Sequence, residues 1–596
     1  MMFSRSIVER RAWRLVPLTL IGLFLLIANS YAHNTPSGKS SAAAEAYQRG
    51  LAAAQRGDWV EARAALDRAV KLEPRNADAQ NALAQVLLQQ GDVEGAIGHL
   101  RTVTVLRPKL AIGHAYLGQA LSAKGALDEA AEELRIAVRL APKQPDAHSA
   151  LARVLSQQHK IDEAIAQMHG AVTLAPSRPE LHDELGSLLA QEKKFSDAEK
   201  EFRRALELNP QYEPAAFHLG VALLNQKDST GAQMALQSAV ALDPKDSTAQ
   251  YYLGNVLEEA GDKDAALRSY QRAVAEKPDL VVAQTRLGML LQRSGDPEQA
   301  AAAFSKVVAL TPNDPEAHNN LGLALMQHGE GDAAIKEFQE ALRLRPDDTG
   351  FSGNLGVAYL QKSEFDAAEK QLREALKATP DKAHLHYDLA LALKLKDDLP
   401  AAIAELKEAI RLDPNLADAF YTYGVTLWQE GDFPAAAEQL QSAIRVQPGY
   451  AEAYYTLGTV YKQMDKLQDS AGALREAIRL QPDFAGAHTT LASVLRQLGD
   501  SAGAAAESKA GIELSKEKNR LQAATFDTNS GRRLLQAGDL DGAISQFESA
   551  LRSAPEYAPA HYQLGLALQR KGKTGEAAQE FRKAGELDPR LKTSVP

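Results

Sequence analysis

Four places in this 596-residue sequence carry residue types that could do chemistry, and each lacks the spacing its chemistry needs. Gly38-Lys39-Ser40 and Gly572-Lys573-Thr574 have the closing triplet of a phosphate-binding loop, in which backbone amides cradle phosphate and the lysine neutralises it. That loop needs a glycine five residues earlier, where this chain has His33 and Ala567. Gly350-Phe351-Ser352-Gly353 starts like the sharp turn that exposes a nucleophilic serine, but the closing position is Asn354. His384 and His386 stand two apart, which on a helix sends them to different faces, whereas helical metal pairs stand four apart. Cysteine is absent, so there is no thiolate nucleophile, thiolate metal site or disulfide framework. These residues point away from catalysis, and the sequence assigns no cofactor and no metal ligand.

The elements that hold them are far more regular. Thirteen prolines stand 34 residues apart, from Pro74 through Pro108, Pro142 and onward to Pro482. The ladder misses once, at Lys516, and resumes at Pro555 and Pro589 after an insertion of five residues. A fixed period of this length marks one supersecondary unit stacked many times. With each proline in the thirty-second place of its block, the eighth place is Gly or Ala (Gly118, Gly254, Gly458, Ala390). The twentieth is Ala, with Ser470 the lone exception, and the twenty-fourth is bulky, as in Leu66, Phe202 and Tyr270. Apolar spacing of three and four in Ala79–Gln90 and Val93–Leu106, separated by Gly91-Asp92, predicts two amphipathic helices per block. The small eighth and twentieth places let them approach closely.

These columns resemble the tetratricopeptide repeat family, and the match runs in sixteen blocks from about Ala43 to Leu591. The resemblance implies an all-α fold, a right-handed superhelical solenoid of helix–turn–helix repeats with a groove lined by first helices. The family's fourth place, often Trp, is here frequently His (His114, His148, His182, His318, His386, His488, His561), which its periodicity assigns to packing at the hairpin. In the family, the second, fifth, ninth, twelfth and thirteenth places of the first helix face the groove. Here the fifth place is aromatic in three consecutive blocks, Tyr387, Tyr421 and Tyr455, with Trp428 in the twelfth. Gln fills the thirteenth place in most blocks, including Gln429 and Gln463. Such a row offers apolar anchors with polar tips beside amides that can bond a peptide backbone. The same residues are also ordinary family choices.

Residues 1–32 differ from the rest. A basic leader (Arg5, Arg10, Arg11, Arg14), the apolar run Leu15–Ala28 and Ser30-Tyr31-Ala32 predict a signal peptide cleaved after Ala32, or else a membrane anchor over 15–32. Residues 33–42 read as a flexible linker, 43–518 as repeats one to fourteen, 519–523 as an insertion in an extended helix, 524–591 as repeats fifteen and sixteen, and 592–596 as a tail. Removing residues 1–32 moves the net charge from −10 to −13, with both signs interspersed, which disfavours nucleic acid. In block ten, Gly350 and Gly353 interrupt the first helix, either as a hinge or because a neighbouring backbone comes close. The sequence thus predicts an exported, periplasmic or secreted, non-enzymatic scaffold. It would bind a peptide or partner protein in its groove, perform an envelope assembly or export role, and touch membrane only through an uncleaved N-terminal segment. Two alternatives stand beside it: a repeat arm associated with glycosyltransferase activity, although the sixth-place Asn of those arms occurs only at Asn320, Asn354 and Asn529, and direct binding of glycan or cell-wall polymer.

Overall fold

A computed structural model describes residues 38–594, and among them are 31 α-helices, one 3-10 helix and no strand. Each block is a helical hairpin. In block thirteen, for example, Ala451–Gln463 is followed by a short turn and then by Leu467–Leu480. The second helix stops at its cap, Gln481, because Pro482 follows; proline offers no amide and disfavours helical geometry in the residue before it. The turn places a residue of positive φ in the fifteenth place of every block. Ten of these residues are Gly, and six are not: His159, Lys193, Lys227, Ser363, Asp397 and Asp465.

The proline-ladder columns have direct packing causes. A Cβ on Gly458 would lie 2.7 Å from Cγ of Leu474, so the bare eighth place is what lets the twenty-fourth bury completely. Full burial of a leucine is worth about 2 kcal/mol. Ser470, the exception among the alanines, is also fully buried, and its hydroxyl donates to the Gly458 carbonyl at 2.6 Å. The fourth-place histidines tie each hairpin to the turn before it. His386 sets Nδ1 2.6 Å from Glu405 Oε2 and Nε2 3.0 Å from the Pro380 carbonyl oxygen, both at hydrogen-bond distance. His114, His182, His318, His488 and His561 repeat both bonds with Glu133, Glu201, Glu337, Glu507 and Glu580. His148 uses Gln167 in place of a glutamate.

The blocks fall into two compact units that divide between Leu310 and Thr311. The 34-residue period passes through that point unbroken, so nothing in it marks the division. Within the first unit, Ala111–Lys124 packs on Pro145–Gln157 and Pro179–Gln191 on Glu213–Asn225, all first helices. Within the second, the same holds along Pro315–His328, Thr349–Gln361 and Ala383–Leu395, and along Ala417–Glu430, Ala451–Gln463 and Ala485–Gln497. Successive second helices make no comparable contact, so the first helices crowd onto the inner side of each unit.

The readings of the two ends of the array change, and the extended helix near its C-terminal end is longer than one turn. The first helix is Gly38–Gln55, so residues 38–42 are helical and not linker; nothing between Ser40 and the alanine run stops a helix. The extended helix expected around residues 519–523 is present: Ser501–Gln536 is one 36-residue helix that joins the second helix of block fourteen to the first of block fifteen, because no Gly or Pro stands from Ile512 through Asn529 to end it. At the C-terminal end, Pro589–Ser594 forms the 3-10 helix, where residues 592–594 were read as tail. In block ten, Thr349–Gln361 is a continuous helix capped by Asp348. A Cβ on Gly353 would lie 2.8 Å from Leu385 Cδ2, so that glycine serves close approach of the next block, not a hinge. The signal peptide or anchor, residues 1–32, lies outside the described residues. Among those residues no helix is long and apolar enough to cross a membrane.

Candidate functional site

The inner side of each unit is built by a repeating contact between first helices. At three junctions the sixth place of one block reaches the fifth place of the block before it: His218 Nδ1 donates to Asp183 Oδ1 at 2.8 Å, Asn354 Nδ2 to Asn319 Oδ1 at 2.8 Å, and Thr422 Oγ1 to the Tyr387 hydroxyl at 3.5 Å. The twelfth place likewise reaches the thirteenth of the next block. Ser122 donates to Gln157 at 3.2 Å, and Trp428 Nε1 donates to Gln463 Oε1 at 2.6 Å. The predicted ladder of thirteenth-place amides is therefore partly committed to the fold. Gln463 spends its carbonyl oxygen on Trp428, while Gln429 stands exposed.

The predicted aromatic residues are half-buried, and each packs at a different junction along the second unit. Tyr387 and Leu416 pack against one core cluster, Ala390, Leu406, Ala409 and Ala419; Tyr421 has its ring centroid 5.1 Å from Tyr450, and Tyr455 lies 4.8 Å from Phe484. The result is a double row, one aromatic from the fifth place and one side chain from the thirty-fourth. Sequence reasoning missed the outer row, although Leu416, Tyr450 and Phe484 stand in one column of consecutive blocks. Tyr450 donates to Asp418 at 2.7 Å. Burial, followed by that bond, holds its phenol above the usual range, and burial does the same for Tyr387.

One helical turn beyond the fifth-place row runs an apolar line. Leu323, Val357, Leu391 and Val425 occupy the ninth place of four successive first helices, all half-buried. Met326, Leu360 and Trp428 flank them in the twelfth place, and Leu395, in the thirteenth, is 56% exposed. That is too much accessible surface for a side chain belonging to the core. Two charges flank the line, Asp388 in the sixth place and Lys394 in the twelfth, both half-buried on the helix Ala383–Leu395. Burial alone pushes the Asp388 carboxyl up to about 6 and lowers the Lys394 ammonium. Neither stands out in the sequence, where the sixth and twelfth places vary from block to block.

Among the described residues no group of His, Cys, Asp or Glu could hold a metal ion. His384 is exposed, and His386 is held between Glu405 and Pro380. Gly572, at the start of the Gly-Lys-Thr triplet, sits in a hairpin turn and precedes a second helix, Thr574–Leu587.

A tetratricopeptide repeat profile matches residues 47–111, 149–213, 184–232, 217–280, 285–349, 354–417, 455–513 and 528–590, and a TPR repeat profile matches 424–465. No curated protein sequence matches the chain. Among solved structures, the chain is similar to that of the APC/C hetero-tetramer Cut9-Hcn1, at 16% identity over 77% of this chain and 97% of the other, with a TM-score of 0.35. It is also similar to yeast Tom70, at 16% identity over 77% and 97%, TM-score 0.34. A third similarity is to YrrB, described as a TPR protein with an unusual peptide-binding site, at 26% identity over 31% and 96%, TM-score 0.27.

Proposed function

Since the chain belongs to the tetratricopeptide repeat family, we propose that it is a non-enzymatic interaction scaffold holding an extended segment of a partner protein on the first helices of its second unit. One observation carries this reading: the unbroken ninth-place row Leu323, Val357, Leu391 and Val425, left half-buried on the inner side and bordered by Tyr387, Tyr421 and Trp428. A preformed apolar line with polar tips at its edges suits a strand-like ligand, whose affinity a few anchors would dominate. The signal-like residues 1–32 support export, which puts the partner in the envelope or outside the cell.

The test is a double variant, Tyr421→Ala with Trp428→Ala, compared with wild type for partner retention and for helical circular dichroism. Loss of retained partners with unchanged helicity is the expected outcome. A variant that folds and keeps every partner would remove the reading. The glycan alternative predicts that polysaccharide-degrading treatment of the envelope extract abolishes retention; the protein reading predicts no effect.

A further inference from the structure

The helix Ala383–Leu395 carries two half-buried charges, Asp388 and Lys394, that lack the partners comparable groups have at several other junctions. At three other junctions the sixth-place group bonds to the fifth place before it: His218 to Asp183, Asn354 to Asn319 and Thr422 to Tyr387. Asp388 holds the sixth place of block eleven, and the fifth place before it is Gly353, which has no side chain. Another sixth-place acid, Glu184, is clasped by Arg153 from the ninth place of the preceding block, at 3.0 and 2.7 Å. The ninth place preceding Asp388 is Val357. Both groups that could satisfy this carboxylate are missing, and Asp388 has no hydrogen bond or ion pair among the described residues.

Lys394 shows the same omission. Polar twelfth-place groups elsewhere reach the next block, as Ser122 does to Gln157 and Lys462 to Ser493. The corresponding places of the next block are Val425 and Gln429, and Lys394 bonds to neither. Six residues separate the two charges, about 9 Å along a helix, so they do not neutralise each other. Half-buried charges without a partner are partly desolvated at a cost in stability, and a ligand that supplies the counter-charge offsets it.

We propose that the helix Ala383–Leu395 reads a basic side chain of a bound extended peptide at Asp388 and an acidic side chain at Lys394. An extended chain rises about 3.3 Å per residue, so the two ligand residues stand about three apart. The raised Asp388 carboxyl and lowered Lys394 ammonium fit two groups waiting for counter-ions. Such recognition presupposes that the first-helix face binds a peptide at all.

The test passes a positional library of acetylated, amidated nonapeptides, with apolar residues fixed at alternate positions, over the immobilised full-length chain. The wild type should enrich peptides with Lys or Arg and Asp or Glu about three residues apart, by about tenfold over the library. Asp388→Asn should lose only the basic preference, and Lys394→Met only the acidic one. The double exchange Asp388→Lys with Lys394→Asp should reverse the order of the two charges. Apolar selection with no charge preference in the wild type, or a preference that the variants leave unchanged, would overturn the charge recognition and leave the groove reading in place. Retention of no peptide by the wild type would overturn both.

Discussion

The indole Nε1 of Trp428 donates to Oε1 of Gln463 at 2.6 Å, joining the twelfth place of one first helix to the thirteenth of the next. The bond fixes the ring at the edge of the apolar line and uses an amide oxygen that a ligand backbone could otherwise have met. Gln463→Leu frees the indole to rotate. Ligand affinity should fall by about three- to tenfold, a loss of about 1 kcal/mol. Titration of a retained peptide against both proteins checks it, with unchanged helicity as the control.

The bonds of His386 to Glu405 and Pro380 predict an unequal pair of substitutions. His386→Ala leaves two acceptors unmet and should lower local stability by about 1–3 kcal/mol. His386→Gln should cost less than half of that, because Gln80 and Gln284 already donate to Pro74 and Pro278 from the same place, at 2.8 and 3.3 Å. Native-state hydrogen exchange of residues 383–412 measures both, since an array opens block by block.

The fold carries Asp388 at a cost that depends on pH. Its carboxyl titrates near 6 in the fold against 3.8 for the free group, so the folded state favours the protonated form. The penalty is absent below the unfolded value, grows as pH rises between the two, and is complete above about 6. Asp388→Asn should therefore stabilise the second unit at pH 8 by on the order of 1–3 kcal/mol, with the gain shrinking toward zero near pH 4. Urea titrations at pH 8, 6 and 4.5 would show it, and a gain independent of pH would contradict it.

The two glycines of block ten should respond oppositely to alanine. Gly350 is exposed beside its cap, and Gly350→Ala should add about 0.5–1 kcal/mol of helix stability. Gly353→Ala would bring a methyl within 2.8 Å of Leu385 Cδ2, so the same propensity gain is offset by repacking and stability should fall or stay level. Exchange protection in Thr349–Gln361 separates the two outcomes.

The hairpins were legible because their causes repeat: Pro482 stops a helix as Pro74 does, and Gly458 admits Leu474 as Gly254 admits Tyr270. The role of the fourth-place histidines was legible as packing but not as a bridge, since Glu405 stands nineteen residues from His386 and only the hairpin brings them together. The fifth-place tyrosines and Trp428 could be named from one column each. Asp388 and Lys394 could not, because what sets them apart is a missing partner one block away, at Gly353 and Val425, and no single column shows that. The merging of two helices into Ser501–Gln536 was half legible: the absence of a stop signal announced the extension but not how far it would run.

The central claim is that the ligand lies on the first helices of the second unit. A photo-crosslinking amino acid placed at Leu391 or Val425, and separately at exposed Ala404 on the second helix of block eleven, tests it in cells making the full chain. Crosslinks from 391 and 425 to one stretch of one protein, with none from 404, are the predicted result. Equal crosslinking from all three positions, or crosslinking from 404 alone, would contradict the account.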